Sequence, residues 1–208
     1  MSSEFTFQSE LNGLALEDLE WDNTWWEQAP DKSLPRVLYI GDSISCGTRR
    51  QATFAAESKI LFDGFGSSKA LDNPYFEDSL RLFAKQQGYR QAVLFNNGLH
   101  GWHLEDSGSY AEYYLKTLRF LKAEFKNTPV AVVLTTAVAD PVRNDRVKER
   151  NKAAVSAAAE ESCPVIDLFS VSEKYAHLRL DDGVHFSDEG YTRLAEEIVK
   201  EVKRITGI

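Results

Sequence analysis

The sequence predicts an α/β fold, in which a parallel sheet is covered by helices on both faces. Short apolar runs of strand length recur along the chain, and the longer segments between them place apolar residues three or four apart. Strands alternating with helices form βαβ units with right-handed crossovers, which bury both faces of the sheet they build. With 208 residues, 43% of them hydrophobic, the chain can bury such a core as one unit and is too short to argue for two.

Residues 1–35 are acidic, carry Trp21, Trp25 and Trp26, and end at Pro35. They read as an N-terminal appendage pinned across the core by its aromatics, with residues 36–208 forming the main domain. The first strand is Val37-Leu38-Tyr39-Ile40. Further strands are expected at Ile60-Leu61-Phe62, at Ala92-Val93-Leu94-Phe95, over residues 130–135 and at Val165-Ile166, five in all. Helical spacing covers residues 73–87, 109–125, 144–161 and 188–205, with Gly88 as a stop for the first and Asp188 as an N-cap for the last.

Lys and Arg number 24 against 32 Asp and Glu, a net charge of -8, which opposes phosphate backbones and anionic membrane surfaces. Neither nucleic acid nor membrane is expected as a partner. Residues 1–28 lack the basic start and apolar run of a secretory signal, and no later stretch approaches a membrane span, so a cytoplasmic protein is expected. Cys46 and Cys163 lie far apart, which favours two buried thiols over a disulfide framework or a paired-cysteine zinc site.

Ligands of a doubly wound sheet bind beyond the carboxyl ends of the strands, so the loops after the apolar runs are where chemistry is sought. After the first strand comes Gly41-Asp42-Ser43-Ile44-Ser45. There Ser43 is either a nucleophile beside the free N–H groups of a helix start or merely the cap of that helix. Near the C-terminus, Asp182-Gly183-Val184-His185 can deliver from one loop both an imidazole to take a serine proton and the carboxylate to orient it. It also reads as a surface histidine with an acidic neighbour, and Asp181 is a second acid within reach. After the third strand, Asn96-Asn97-Gly98-Leu99-His100-Gly101-Trp102-His103 clusters donors and an aromatic, to hold substrate or simply to turn the chain and fill core.

In their order along the chain, Gly41-Asp42-Ser43 and Asp182-x-x-His185 resemble the first and last blocks of the SGNH (GDSL-type) hydrolases over residues 36–208. The resemblance implies a flavodoxin-like three-layer α/β/α sandwich on a five-stranded parallel sheet. It also implies hydrolysis of esters, often acetyl esters of sugars, lipids or other small acyl compounds. Ser43, His185 and Asp182 would be the catalytic triad, with no metal and no organic cofactor.

The family's third block carries an asparagine that donates to the oxyanion, where this chain has His100; the likeness is closest to a subgroup reading Asn-x-Gly-Leu-His, so His100 stands as a variant donor. The second block falls within residues 64–69, with Ser68 as first choice of oxyanion donor and Gly66 as second. The Ser43 backbone supplies a further N–H, and Asn97, Trp102 and His103 are expected to bind substrate, a small ester on an acylated sugar.

Three other readings stand beside this one. An α/β-hydrolase needs Gly-x-Ser-x-Gly, and position 45 is serine. A zinc hydrolase would gather His100, His103, His185 and Asp182. A catalytically silent carbohydrate-binding module would use the same cleft without the reaction.

Overall fold

The computed structural model describes residues 13–106 and 108–208; residues 1–12, the start of the expected appendage, lie outside them. The sheet has six strands: β1 (Asp22–Trp25), β2 (Arg36–Gly41), β3 (Leu61–Ser67), β4 (Ala92–Phe95), β5 (Val130–Val133) and β6 (Val165–Ile166). Their spatial order is β1-β3-β2-β4-β5-β6. The five strands from β3 to β6 run parallel, as the apolar runs imply, and only β1 is antiparallel, against β3.

Side chains alternate across β2, so the sheet divides its apolar residues between two cores. Val37 and Tyr39 join Phe62, Leu94 and Val133 beneath α1 (Ser43–Ala55) and α7 (Asp188–Thr206), which supply Ile44, Ala52, Leu194 and Ile198. Leu38 and Ile40 join Phe65, Val93, Phe95 and Val132 on the other face. There α2 (Phe76–Ala84), α4 (Tyr110–Glu124) and α5 (Pro141–Glu160) pack with Leu80, Leu118 and Ala157. Two short helices, α3 (His103–Asp106) and α6 (Leu168–Lys174), complete the three layers.

The sixth strand comes from the expected appendage. All four residues of β1 are exposed, so no apolar alternation marks them; they pair along β3 and cover what would otherwise be a bare sheet edge. The second parallel strand runs to Ser67 rather than ending near Phe62, because ladder bonding with β2 and β1 carries its glycine-rich half. The fourth stops at Val133. Beyond it, Thr135 is held by side chains, its N–H donating to Asn151 Oδ1 at 2.8 Å and its carbonyl accepting from Asn151 Nδ2 at 2.9 Å.

Two helix ends also differ from expectation. Ser187, not Asp188, caps α7 by accepting from Gly190 N–H, which leaves Asp188 in the first turn where its charge suits the helix dipole. Helix α2 ends at Ala84, whose carbonyl accepts from Arg90 at 2.6 Å, so Gly88 lies beyond the stop.

A buried ion pair fastens the N-terminal segment. Arg36 binds Asp63 Oδ1 at 2.8 Å and donates to the carbonyls of Glu27, Gln28 and Asp31 at 2.8 to 3.0 Å, while Glu27 N–H also reaches Asp63 Oδ1 at 2.9 Å. Burial pushes the Asp63 carboxyl up to about 6 against the pull of Arg36, so at neutral pH the pair is still ionised. Asp63→Ala leaves the Arg36 charge buried without its carboxylate, and the expected loss is about 3 to 5 kcal/mol in chemical denaturation. A loss below about 1 kcal/mol, the range of an exposed pair, rules out the clamp.

Candidate active site

Ser43 stands at the carboxyl end of β2 as the first residue of α1. Asp42 caps this helix, its Oδ1 accepting from Ile44 N–H at 2.9 Å, so the capping role that Ser43 could have filled is already taken. The Ser43 hydroxyl is instead 2.7 Å from His185 Nε2. Its backbone N–H belongs to the helix's first turn, where N–H groups have no partner within the helix. Asp42 itself is buried. Burial pushes its carboxyl up, opposed by the neighbouring His100, the Ile44 N–H and His185.

The loop before α7 brings acid and imidazole together. Asp182 Oδ1 accepts the N–H groups of Val184 and His185 at 2.8 and 2.9 Å, and its Oδ2 lies 2.7 Å from His185 Nδ1. Asp182, rather than Asp181, therefore holds the ring. Gly183 turns the loop at φ +73°, a conformation that suits glycine, and its carbonyl accepts from Ala139 N–H at 2.7 Å. The Val184 N–H first, then the His185 ring and N–H, hold the Asp182 carboxyl down at about 2. A carboxylate thus faces one imidazole nitrogen and a serine hydroxyl the other, an arrangement able to move the serine proton onto the ring.

A pocket of about 200 Å³ opens here, lined by Ser43, Asp182 and His185 with Leu99, His100, Arg143 and Val184. Its walls are set by braced loops: Asn96 Nδ2 donates to the Val133 carbonyl and to Thr135 Oγ1, both at 2.9 Å, and Asn144 accepts from Val138 N–H at 3.0 Å. A larger groove of about 440 Å³ lies against α5 beside Leu134, Val155 and Phe169, and its lining contains no imidazole.

Five sequence-predicted residues do not line this pocket. Ser68 offers it nothing, because its N–H donates to the Trp21 carbonyl at 3.1 Å and its Oγ accepts from Trp21 N–H at 2.8 Å. Gly66, the second choice, lies within β3 opposite Gly41 of β2 and Asn23 of β1. Asn97 is buried, donating to the Lys69 carbonyl at 3.3 Å and accepting at its own carbonyl from the Tyr110 hydroxyl. Trp102 has the guanidinium groups of Arg150 and Arg146 stacked 4.1 and 4.7 Å from its ring centroid. His103 pairs with Asp72 at 2.9 Å, and among the described residues no three His, Cys, Asp or Glu side chains gather as a metal site.

Three lining residues were not anticipated: Leu99, Val184 and Arg143. Only Arg143 carried a signal, being a cation in the first turn of α5, where the helix dipole favours acids. Cys46 is partly buried with its sulfur against Gly66, and its thiol is pushed up by burial, so it is no competing nucleophile.

No protein-family model and no curated protein sequence matches the chain. Solved structures do. An acetyl xylan esterase, AlAXEase, is 19% identical with a TM-score of 0.60, over 80% of this chain and 99% of its own. A lipase/acylhydrolase from Enterococcus faecalis is also 19% identical with a TM-score of 0.60, over 82% of this chain and 96% of its own. A variant of an acetyl-xylooligosaccharide esterase from Geobacillus Stearmophilus is 17% identical with a TM-score of 0.60, over 81% and 94%. The chain has the fold of the SGNH, or GDSL-type, hydrolases. Among the described residues no helix is long and apolar enough to cross a membrane.

Proposed function

We propose that this chain is a serine esterase that hydrolyses short acyl esters, most simply acetyl, carried on a carbohydrate. The observation that carries the reading is the continuous chain from Asp182 through His185 to Ser43, with both contacts at 2.7 Å. Ser43 Oγ attacks the ester carbonyl carbon while His185 Nε2 takes its proton and Asp182 steadies the imidazolium. The oxyanion is met by the Ser43 N–H and by His100. The tetrahedral intermediate then expels the alcohol, which leaves with the proton from His185, and Ser43 remains acylated. Water attacks this acyl-enzyme, giving its proton to His185, and the acid departs as Ser43 regains its hydrogen. One ester and one water yield one acid and one alcohol, with no metal or organic cofactor in any step.

Residues 36–208 supply every group in this sequence of steps. A pocket of about 200 Å³ supports a small acyl group over a long chain. The acetyl xylan and acetyl-xylooligosaccharide esterases with the same fold support a sugar as the alcohol, in place of the expected stacking by Trp102. Free Cys46 and Cys163 suit a cytoplasmic setting.

The test is the hydrolysis of p-nitrophenyl esters of increasing chain length, with a fluorophosphonate used to trap the nucleophile. Acetate is expected to be cleaved with a higher kcat/KM than decanoate, and the phosphonyl group is expected on the peptide containing Ser43. Faster cleavage of decanoate would remove the small-acyl reading. No hydrolysis together with no label on Ser43 would leave a binding module on the same fold.

A further inference from the structure

The N-terminal segment reaches the esterase site. Its anchor is Trp21, whose backbone N–H and carbonyl both bond Ser68 at the end of β3. Ahead of that anchor, Glu17 N–H donates to Glu20 Oε1 at 3.1 Å, which turns the chain. The Glu17 side chain then crosses to the loop after β4, where its Oε1 accepts the Gly101 N–H at 2.8 Å. The same oxygen stands 3.6 Å from His100 Nδ1, too far for a hydrogen bond but close enough to place a charge beside the ring. That nitrogen is buried and makes no hydrogen bond. Trp21 meets the His100 ring edge-on, with centroids 6.0 Å apart and planes at 83°.

The buried Arg150 donates to the carbonyls of His100 and Gly101 at 2.6 and 2.9 Å. The turn at Gly101, with φ +66°, is therefore gripped at its N–H by Glu17 and at its carbonyls by Arg150. Arg150 is part of the domain's own helix α5. Glu17 is not, and it lies 84 residues away in sequence. A donor to a developing oxyanion is effective only if it is held near its place before the reaction begins, and His100 lines the pocket beside Ser43.

We propose that Glu17 is a positioning residue of the esterase site, acting through the Gly101 N–H and the His100 ring. The segment before β1 is on this view a brace for the His100-Gly101 turn of the active site. The proposal rests on the serine-esterase reading and on His100 as an oxyanion donor.

Full-length Glu17→Ala, Glu17→Gln, His100→Ala and the Glu17→Ala/His100→Ala pair separate the possibilities, with kcat, KM and Tm measured on p-nitrophenyl acetate. His100→Ala is expected to lower kcat by roughly 100- to 1,000-fold with KM little changed. Glu17→Ala is expected to lower kcat by about 10- to 100-fold, the scale of a misplaced group, again with KM little changed. Glutamine keeps an acceptor for the Gly101 N–H, so Glu17→Gln is expected to recover most of that loss. In the double variant Glu17→Ala should add almost nothing, because the group it positions is gone.

A Glu17→Ala kcat within about two-fold of the parent overturns the proposal, as does an undiminished effect without His100. It also falls if kcat and Tm drop together and glutamine restores neither. Each of these outcomes presupposes a parent that Ser43→Ala inactivates. An inactive parent, or an unaffected Ser43→Ala variant, fails the esterase reading itself.

Discussion

Ser43→Ala is expected to lower kcat for p-nitrophenyl acetate by about 10⁴- to 10⁶-fold and to leave the thermal midpoint unchanged. The size follows from what the hydroxyl supplies. Without Oγ there is no acyl-enzyme, and only pocket binding and the oxyanion donors remain to assist attack by water. The unchanged midpoint follows from local structure: Asp42 rather than Ser43 caps α1, and alanine is a good residue at a first helical position. His185→Ala is expected to cost about as much, and the two together little more than either, because hydroxyl and imidazole act as one unit across their 2.7 Å contact. A Ser43→Ala variant that keeps a tenth of the parent's kcat would show that the nucleophile is elsewhere. An intact kcat beside a lowered midpoint would make Ser43 a structural residue.

Asp182→Asn is expected to lower kcat by about 10⁴-fold, although the side chain changes by one atom. Asparagine can still accept the N–H groups of Val184 and His185, so the loop keeps its turn. Its amide nitrogen then faces His185 Nδ1, which must become an acceptor. The ring proton moves to Nε2, where the serine proton has to go. The same residue sets the pH behaviour. Its carboxyl lies at about 2, below the ordinary 3.8, so it is ionised in the fold above both values and is protonated only as pH falls through about 2. Whatever stability it contributes is present above about pH 4 and fades below that, and its exposure keeps the amount small. Protonation of Asp182 is therefore not expected to contribute to any acid loss of activity above pH 4. A two-proton acid limb in log kcat/KM above pH 4 would show that Asp182 also titrates there, and a near-normal kcat for Asp182→Asn would place the orienting acid elsewhere.

The parallel strands and the grouping of Ser43, His185 and Asp182 were legible in sequence because their information is local. Apolar runs such as Val37-Leu38-Tyr39-Ile40 mark strands buried on both faces. A serine directly after such a run must emerge at the sheet's carboxyl edge. Asp182 and His185 lie three residues apart, so one turn brings their side chains into contact whatever the rest of the chain does.

The remaining features depend on segments distant in sequence, and only the tertiary structure decided them. Ser68 reads in sequence as a free donor, but its N–H donates to the Trp21 carbonyl and its hydroxyl to Glu20 Oε2. Trp102 and His103 read in sequence as substrate contacts, and packing sets Arg150 over the first and Asp72 beside the second. Arg143, Glu17 and strand β1 carry no periodic signal of their own, since each takes its place from a surface assembled elsewhere. The physical reason is common to all of these. A polar or aromatic side chain advertises what it can bind, whereas its partner is whichever complementary group the packed fold brings within about 3 to 4 Å. The sequence by itself thus determined the five parallel strands and the Ser43, His185 and Asp182 grouping, and tertiary packing decided which neighbours surround that group.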